Sequence, residues 1–256
     1  VKIQKNIENL MDDSQVTPYF LSCKRFSLFK ETFESFWRMC QDKNLIKSFI
    51  VVDDNSDDDD RFKIQKLIST ISLPSIFVSK NNIRGQASSI NIIYDLCKTK
   101  YALAIEDDWK FIRSGNFIRK SINIMKSYDN VKRVCLDFST SGKSLDKISD
   151  SDIYDIDSEK FYINQYDIKN EWPSFTFRQC VIDIESCFKN IGYASHNPKL
   201  SHDGSRPTAE TDYGVRYCDY GYRTAFFLNT FVQETSKNIP SSFDLNNVSR
   251  YKEYDY

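Results

Sequence analysis

The sequence predicts an α/β domain with a mostly parallel central sheet and flanking helices, and three observations carry that reading. Apolar runs of strand length alternate with amphipathic helical stretches up to about residue 110. Three of those runs stop abruptly at polar or charged residues. The periodicity then weakens, so the second half is expected to be a mixed arrangement.

Residues 16–23 (VTPYFLSC) form the first predicted strand, and residues 25–40 then set Phe26, Phe29, Phe33, Phe36, Trp37 and Cys40 at helical spacing. Residues 48–52 (SFIVV) are a continuous apolar run of the kind buried on both faces of a parallel sheet, ending at Asp53-Asp54-Asn55-Ser56. A second helix is predicted with Phe62, Ile64, Leu67, Ile68 and Ile71 inward. Residues 75–79 (SIFVS) are a third strand, the loop 80–85 (KNNIRG) ends it, and Ala87, Ile90, Ile93, Tyr94 and Cys97 mark a third helix. Residues 101–105 (YALAI) are the fourth strand, closed by Glu106-Asp107-Asp108-Trp109. This alternation is the pattern of parallel strands joined by crossover helices.

Beyond it the sequence predicts a helix at 116–125, a strand at 133–138, loops through the polar stretch 139–170, and β-like character at 172–184 (WPSFTFRQCVIDI). A helix at 208–220, with Thr208 as its cap and Gly221 closing it, and a final strand at 222–228 complete the pattern. No Pro/Gly/Ser-rich linker or repeat divides the 256 residues, which read as one domain.

The 35 basic and 36 acidic side chains nearly cancel, which argues against nucleic acid or an anionic membrane as a partner and makes any phosphate-binding charge local. No segment approaches the roughly 18 to 20 apolar residues of a membrane span, and no signal peptide is visible. The seven cysteines are odd in number and form no CxxC pair, which suits buried thiols in a reducing compartment, hence a cytoplasmic expectation, and argues against structural zinc. Richness in Asn, Lys, Ile, Asp and Ser points to an AT-rich genome such as that of a large DNA virus or a low-GC microbe; in the viral case the compartment would be the host cytoplasm. The start at Val1 suggests one domain of something longer.

The chemistry-bearing residues gather at the strand ends. Asp53 and Asp54 follow a buried strand, where a carboxylate accepts from a nucleobase N–H or a ribose hydroxyl; the competing reading is an Asx turn. Asp57 to Asp60 read as the solvated acidic start of the next helix. Three consecutive carboxylates at Glu106, Asp107 and Asp108 repel one another unless a cation neutralises them, and Mg²⁺ or Mn²⁺ on a diphosphate needs one or two such ligands. Lys80, Arg84 and Gly85 precede a helix N-terminus and Lys24 follows the first strand, so both places offer cations to a phosphate. Glu210 and Asp212 stand in the first turn of a helix, where the helix dipole alone explains acids; their functional reading is a general base. His196 and His202 are too few and too loosely spaced for zinc, and Trp172-Pro173 reads either as a sugar-stacking platform or as core.

Taken in order, TPYFLSCKRFSLFKETFESF, FIVVDDNS, the Gly85 loop with Asn91 in the helix after it, and YALAIEDDW resemble the nucleotide-binding half of a GT-A fold glycosyltransferase of the family 2 type. AETDYGVRYCDYGYR (209–223) is similar to that family's Glu-Asp motif helix, and WPSFTF to a segment near its acceptor site. The resemblance implies one GT-A, Rossmann-like domain, with residues 16–110 binding a nucleotide sugar and 111–256 binding the acceptor. It implies that Asp53 or Asp54 contacts the uracil or ribose of a UDP-sugar, that Asp107 approaches ribose and diphosphate, and that Asp108, with Asp107, holds Mn²⁺ or Mg²⁺ in a DXD-type site. The family's base lies six residues before an Arg, here Glu210; the usual Glu-Asp pair reads Ala209-Glu210, which leaves the base open between Glu210 and Asp212. SSFDLNN (241–247) also matches, but Gln233-Glu234 stand where related chains often carry a His, so Glu234 is a weak candidate for the metal or phosphate side.

The implied reaction moves a sugar from a nucleoside diphosphate to a hydroxyl of a glycan, protein or small molecule, with inversion. The alternatives are a sugar-nucleotide nucleotidyltransferase, disfavoured because Ser22-Cys23-Lys24-Arg25 holds no glycine where a triphosphate loop is needed, and an inactive nucleotide- or carbohydrate-binding module.

Overall fold

The computed structural model describes residues 15–80, 85–165, 175–200 and 208–235. Its first half follows the predicted alternation. Strands β1 (Val16–Ser22), β2 (Phe49–Asp54), β3 (Ser75–Lys80) and β4 (Tyr101–Glu106) are separated by helices α1 (Phe26–Met39), α2 (Asp58–Ile68) and α3 (Gly85–Leu96). They pair in parallel in the order β3-β2-β1-β4. Because the chain steps outward from β1 to β3 and then returns to β4, a topological switch point lies between β1 and β4. In open α/β sheets the crevice at the carboxyl ends of such a pair is where ligands bind.

The second half contributes β5 (Trp109–Phe111), α4 (Phe117–Ser127), β6 (Val131–Cys135), β7 (Ile153–Ile156), β8 (Glu159–Ile163), β9 (Cys180–Asp183), α5 (Ile184–Ile191), α6 (Ala209–Asp219), β10 (Arg223–Phe227) and β11 (Val232–Glu234). The large sheet has nine strands in the order β3-β2-β1-β4-β9-β6-β10-β8-β7. Only β9 and β8 run against the rest, since each is antiparallel to both of its neighbours while β10 and β6 are parallel. The sheet is thus mostly parallel by direction and mixed in its second half. Since β9 is reversed between β4 and β6, its first residue, Cys180, lies at the edge where those two strands end. A separate β5-β11 pair lies beyond the end of β4.

Helices cover both faces. One core layer joins the α1 stripe to the sheet through Phe29, Phe33 and Phe36, with Phe20 of β1 seated 5.4 to 5.9 Å from all three rings. The other packs Ile90, Ile93 and Tyr94 of α3 and Tyr213 and Tyr217 of α6 against the opposite face. Burial of apolar surface on both sides explains why β1, β2 and β4 carry unbroken apolar runs.

Several expectations change. Phe62 is exposed, not inward: Ile64 and Ile68 are the buried residues of α2, and position 62 lies about 160° around the helix from 64. The stretch 139–170, expected to be loops, includes the hairpin β7-β8, whose partly polar edge strand β7 hides its period. Within 172–184 only β9 is a strand; residues 175–179 enter it as an irregular strap, and α5 begins at once after it, capped by Asp183 through the Ser186 N–H. Trp172-Pro173, Arg84, His202 and residues 241–247 lie outside the described residues. Six of the seven cysteines are buried.

Candidate active site

The four parallel strands deliver their terminal residues to one edge. At the switch point, Arg25 just after β1 reaches Asp107 and Asp108 just after β4. Its guanidinium forms a short ion pair with Asp107 Oδ1, donates from Nε to Asp107 Oδ2 at 3.4 Å, and donates from Nη1 to Asp108 Oδ2 at 3.2 Å. Cys23 N–H also donates to Asp107 Oδ2, at 3.2 Å. Both Asp107 oxygens are therefore spoken for, and the residue is buried. Burial and the Asp108 charge push its pKa up, to about 7, against the pull of Arg25. Mutual repulsion at this strand end is thus partly answered by Arg25, which charge spacing in the sequence does not reveal.

Asp108 differs from its neighbour. Its Oδ2 takes Arg25, while Oδ1 is buried and, among the described residues, makes no hydrogen bond. A buried carboxylate oxygen without a partner is costly, and a divalent cation is the group that best relieves it. Asp108 thus fits a Mg²⁺ or Mn²⁺ ligand, whereas Asp107 would have to surrender Arg25 or the Cys23 amide. The Asp108 backbone is fixed from the other side, its carbonyl accepting from Thr235 N–H at 2.8 Å and Thr235 Oγ1 at 2.9 Å. This sets β11 against β5 with Glu234 opposite Trp109, so Glu234 comes next to the acidic turn across some 126 residues of chain.

At the outer strands, Asp53 closes an Asx turn by accepting Ser56 N–H at 3.1 Å, and it pairs with Arg61 Nε at 3.0 Å. Asn55 takes a left-handed backbone, φ 71°, as that turn requires. Arg61 continues to the Lys80 carbonyl at 3.0 Å, and buried Lys80 pairs with Asp54 at 3.1 Å and donates to Ser89 Oγ at 2.8 Å. The turn reading therefore holds for Asp53. Asp53 is fully buried and shapes the loop, while Asp54 is the member of the pair that reaches the surface. Lys24, also left-handed at φ 53°, is tied to this loop by its N–H on Ser56 Oγ at 2.7 Å. Asp57 caps α2 through Asp60 N–H, as expected of an acidic helix start.

The sequence grouped Glu106 with Asp107 and Asp108 but gave it no role of its own. As the last residue of β4 it alternates with Asp107, so its side chain faces away from Arg25, accepting from Gln86 Nε2 at 3.2 Å. Its pKa is raised to about 8 by burial first, then by Asp108, with Glu210 and Asp107 adding to the rise and Arg178 opposing it. Phe177 N–H on Glu210 and Gln179 Nε2 on the Glu106 carbonyl, two residues apart on one segment, bring the strand-end acids and the helix acid of the second half close together.

The two acids of α6 have different surroundings. Thr208 caps the helix through Thr211 N–H at 3.0 Å. Asp212 is buried and committed: Oδ1 accepts Lys199 and Leu200 N–H at 3.0 and 3.2 Å, and Oδ2 pairs with Arg216 Nε at 2.9 Å. Arg216 also donates to the Ile191 and Tyr193 carbonyls, so the pair clamps the segment after α5 onto α6. Asp212→Ala is expected to destabilise the fold by about 2–3 kcal/mol, the usual scale for lost charge-assisted hydrogen bonds, with nucleotide affinity unchanged; denaturant titration and a binding isotherm check both. Glu210 instead accepts one hydrogen bond, from Phe177 N–H at 2.5 Å, and faces the cleft that holds Glu106. Burial raises its pKa, against the Phe177 N–H and the Arg178 and Arg133 charges. A partly buried carboxylate with one oxygen spare is the arrangement a general base needs.

No protein-family model and no curated protein sequence matches the chain. Solved structures do. A mannosyltransferase from Pyrobaculum calidifontis, in complex with GDP-Man and Mn²⁺, superposes with a TM-score of 0.55 at 12% identity over 82% of this chain and 53% of its own. TarS residues 1–349 from S. aureus superposes with a TM-score of 0.58 at 11% identity over 87% of this chain and 60% of its own. The fold is that of the GT-A glycosyltransferases. At these identities the likeness is one of fold, and the chain spans only a little over half the length of either neighbour. The GT-A reading taken from the strand-end motifs is thereby matched in fold.

Proposed function

We propose that the chain is a glycosyltransferase that moves a sugar from a nucleoside diphosphate sugar to a hydroxyl, with the donor bound at the carboxyl ends of β1 to β4 and the acceptor between that edge and α6. The observation that carries this reading is the segment 177–179, which ties Glu210 of the second half, through Phe177 N–H, to the Glu106 carbonyl at the acidic end of β4, through Gln179 Nε2. Transfer needs a cation at the diphosphate and a free carboxylate at the acceptor, and this cleft holds a candidate for each. The bound GDP-Man and Mn²⁺ of the Pyrobaculum neighbour support a nucleoside diphosphate sugar and a divalent cation. UDP is the base suggested by the motif resemblance.

Asp108 would hold the cation, with Glu106 and Glu234 nearest to complete its surroundings. When bound, that ion supplies positive charge to the leaving diphosphate. Asp54 and Lys80 bound the nucleoside side of the crevice, and Asp53 keeps their loop in shape through Arg61. Glu210, held by Phe177 N–H, takes the proton from the acceptor hydroxyl as its oxygen attacks the anomeric carbon. With Glu210 as the base, the hydroxyl oxygen displaces the nucleoside diphosphate in a single step, which inverts the anomeric centre. Asp212 would act only by keeping the segment around Lys199 in place.

The test is incubation with a panel of UDP- and GDP-sugars in Mn²⁺, reading released nucleoside diphosphate, because slow hydrolysis reports the donor before the acceptor is known. Binding without release across donors and acceptors would favour the inactive binding-module reading instead.

A further inference from the structure

We infer that Arg178 is the anion-binding residue of this cleft, presenting its guanidinium to phosphate oxygens of a bound substrate between the acidic end of β4 and Glu210. The inference rests on the proposed nucleotide-sugar reading only for the source of that phosphate.

Arg178 stands at the apex of the strap that enters β9, and every other residue of the strap is fastened. Buried Arg133 of β6 braces both ends, donating from Nη2 to Thr176 Oγ1 at 2.8 Å and from Nε to Cys180 Sγ at 3.1 Å, with its guanidinium 4.9 Å from the Phe175 ring. Phe177 N–H is on Glu210, Phe175 and Phe177 pack edge to face against each other, and both rings pack against Tyr213. Gln179 is buried, its carbonyl accepts Leu136 N–H at 3.1 Å, and its Nε2 donates to the Glu106 carbonyl at 3.4 Å. Residue 178 is thus bracketed by one neighbour on the helix acid and another on the strand acid.

Arg178 itself is exposed and, among the described residues, makes no hydrogen bond or ion pair. Its charge is nevertheless felt by both Glu106 and Glu210. A rigidly mounted strap that holds out one uncommitted guanidinium is a preorganised anion receptor: the loop entropy is lost on folding, and the planar fork of donors matches phosphate oxygens two at a time. Position supports the same ligand, because the gap between the acidic strand end and Glu210 is where a leaving phosphate and an attacking acceptor must meet. Since Arg178 is exposed, its replacement should leave the fold intact.

The phosphate can come from the donor or from a phosphate-bearing acceptor, and calorimetry distinguishes them. Wild type, Arg178→Gln and Arg178→Lys are titrated in Mn²⁺ with inorganic pyrophosphate, with UDP and with GDP, and then with inorganic phosphate after saturation with the nucleotide. With the donor as source, Arg178→Gln loses about 10- to 100-fold in pyrophosphate and nucleotide affinity, the scale of charge-assisted hydrogen bonds, and Arg178→Lys recovers part of it. With an acceptor phosphate as source, nucleotide affinity is unchanged and the second phosphate isotherm is lost in Arg178→Gln. Equal affinities for every probe in wild type and Arg178→Gln overturn the inference, as does a wild type that binds none of them. Pyrophosphate binding that depends on Arg178 without any preference for UDP or GDP would keep Arg178 and overturn the nucleotide-sugar reading.

Discussion

Glu210→Gln is expected to lower the rate of sugar transfer by about 10²- to 10⁴-fold, the contribution typical of a positioned general base, while Mn²⁺-dependent nucleotide binding stays within about twofold of wild type. The amide keeps the size of the side chain and can still accept from Phe177 N–H, so the change isolates the loss of a proton acceptor. The pH dependence follows from the same surroundings. Burial raises the Glu210 carboxyl, with Glu106 in the same cleft, while Arg178 and Arg133 pull it back. A base works only when ionised, so kcat/KM should rise with pH through a pKa above the ordinary glutamate value, and that acidic limb should vanish in the variant. A rate profile from pH 4 to 9 on both proteins reads it. An unchanged limb in Glu210→Gln would assign the base to another group, with Asp212 the alternative its helix offers.

Asp108→Asn should act on the other half of the site. Its buried, unpartnered Oδ1 is the atom offered to a cation, and the amide removes the charge that makes it a ligand. Loss of an outer-shell partner alone costs about 10- to 100-fold in metal affinity, so loss of a direct ligand should cost at least that, and nucleotide binding should cease to depend on Mn²⁺. The fold should hold. The Arg25 contact with Asp108 is the weaker of its two, and the tighter pair with Asp107 remains. The same substitution at Asp107 is expected to do the opposite, destabilising the switch point because Arg25 and Cys23 N–H would lose their acceptor. Thermal melts of the two variants separate the ligand from the anchor.

How far the sequence led can be traced to particular residues. The strands buried on both faces, such as 48–52 and 101–105, were legible because parallel sheets admit only apolar runs, and their abrupt ends located the site edge. The hairpin β7-β8 was not, because an edge pair with one polar face loses the alternation that marks a strand. In the site, charge spacing named Asp107 and Asp108 together but could not tell a ligand from an anchor. That difference is made by Arg25, brought to them by the β1-β4 pairing. Likewise Glu210 and Asp212 stand two apart in one helical turn and look equivalent until Lys199, Leu200 and Arg216 are seen to occupy Asp212. Arg178 and Arg133 carried no sequence signal, since their roles depend on β9 being reversed between β4 and β6.

The sharpest single measurement is the ³¹P spectrum of UDP or GDP bound to the protein as Mn²⁺ is added in small amounts. A cation held at Asp108 beside the diphosphate should broaden both phosphorus resonances selectively in wild type and in Glu210→Gln, and should fail to do so in Asp108→Asn. Broadening that persists unchanged in Asp108→Asn, or a wild-type protein that binds neither nucleotide, would contradict the placement of a nucleoside diphosphate and its metal at the end of β4.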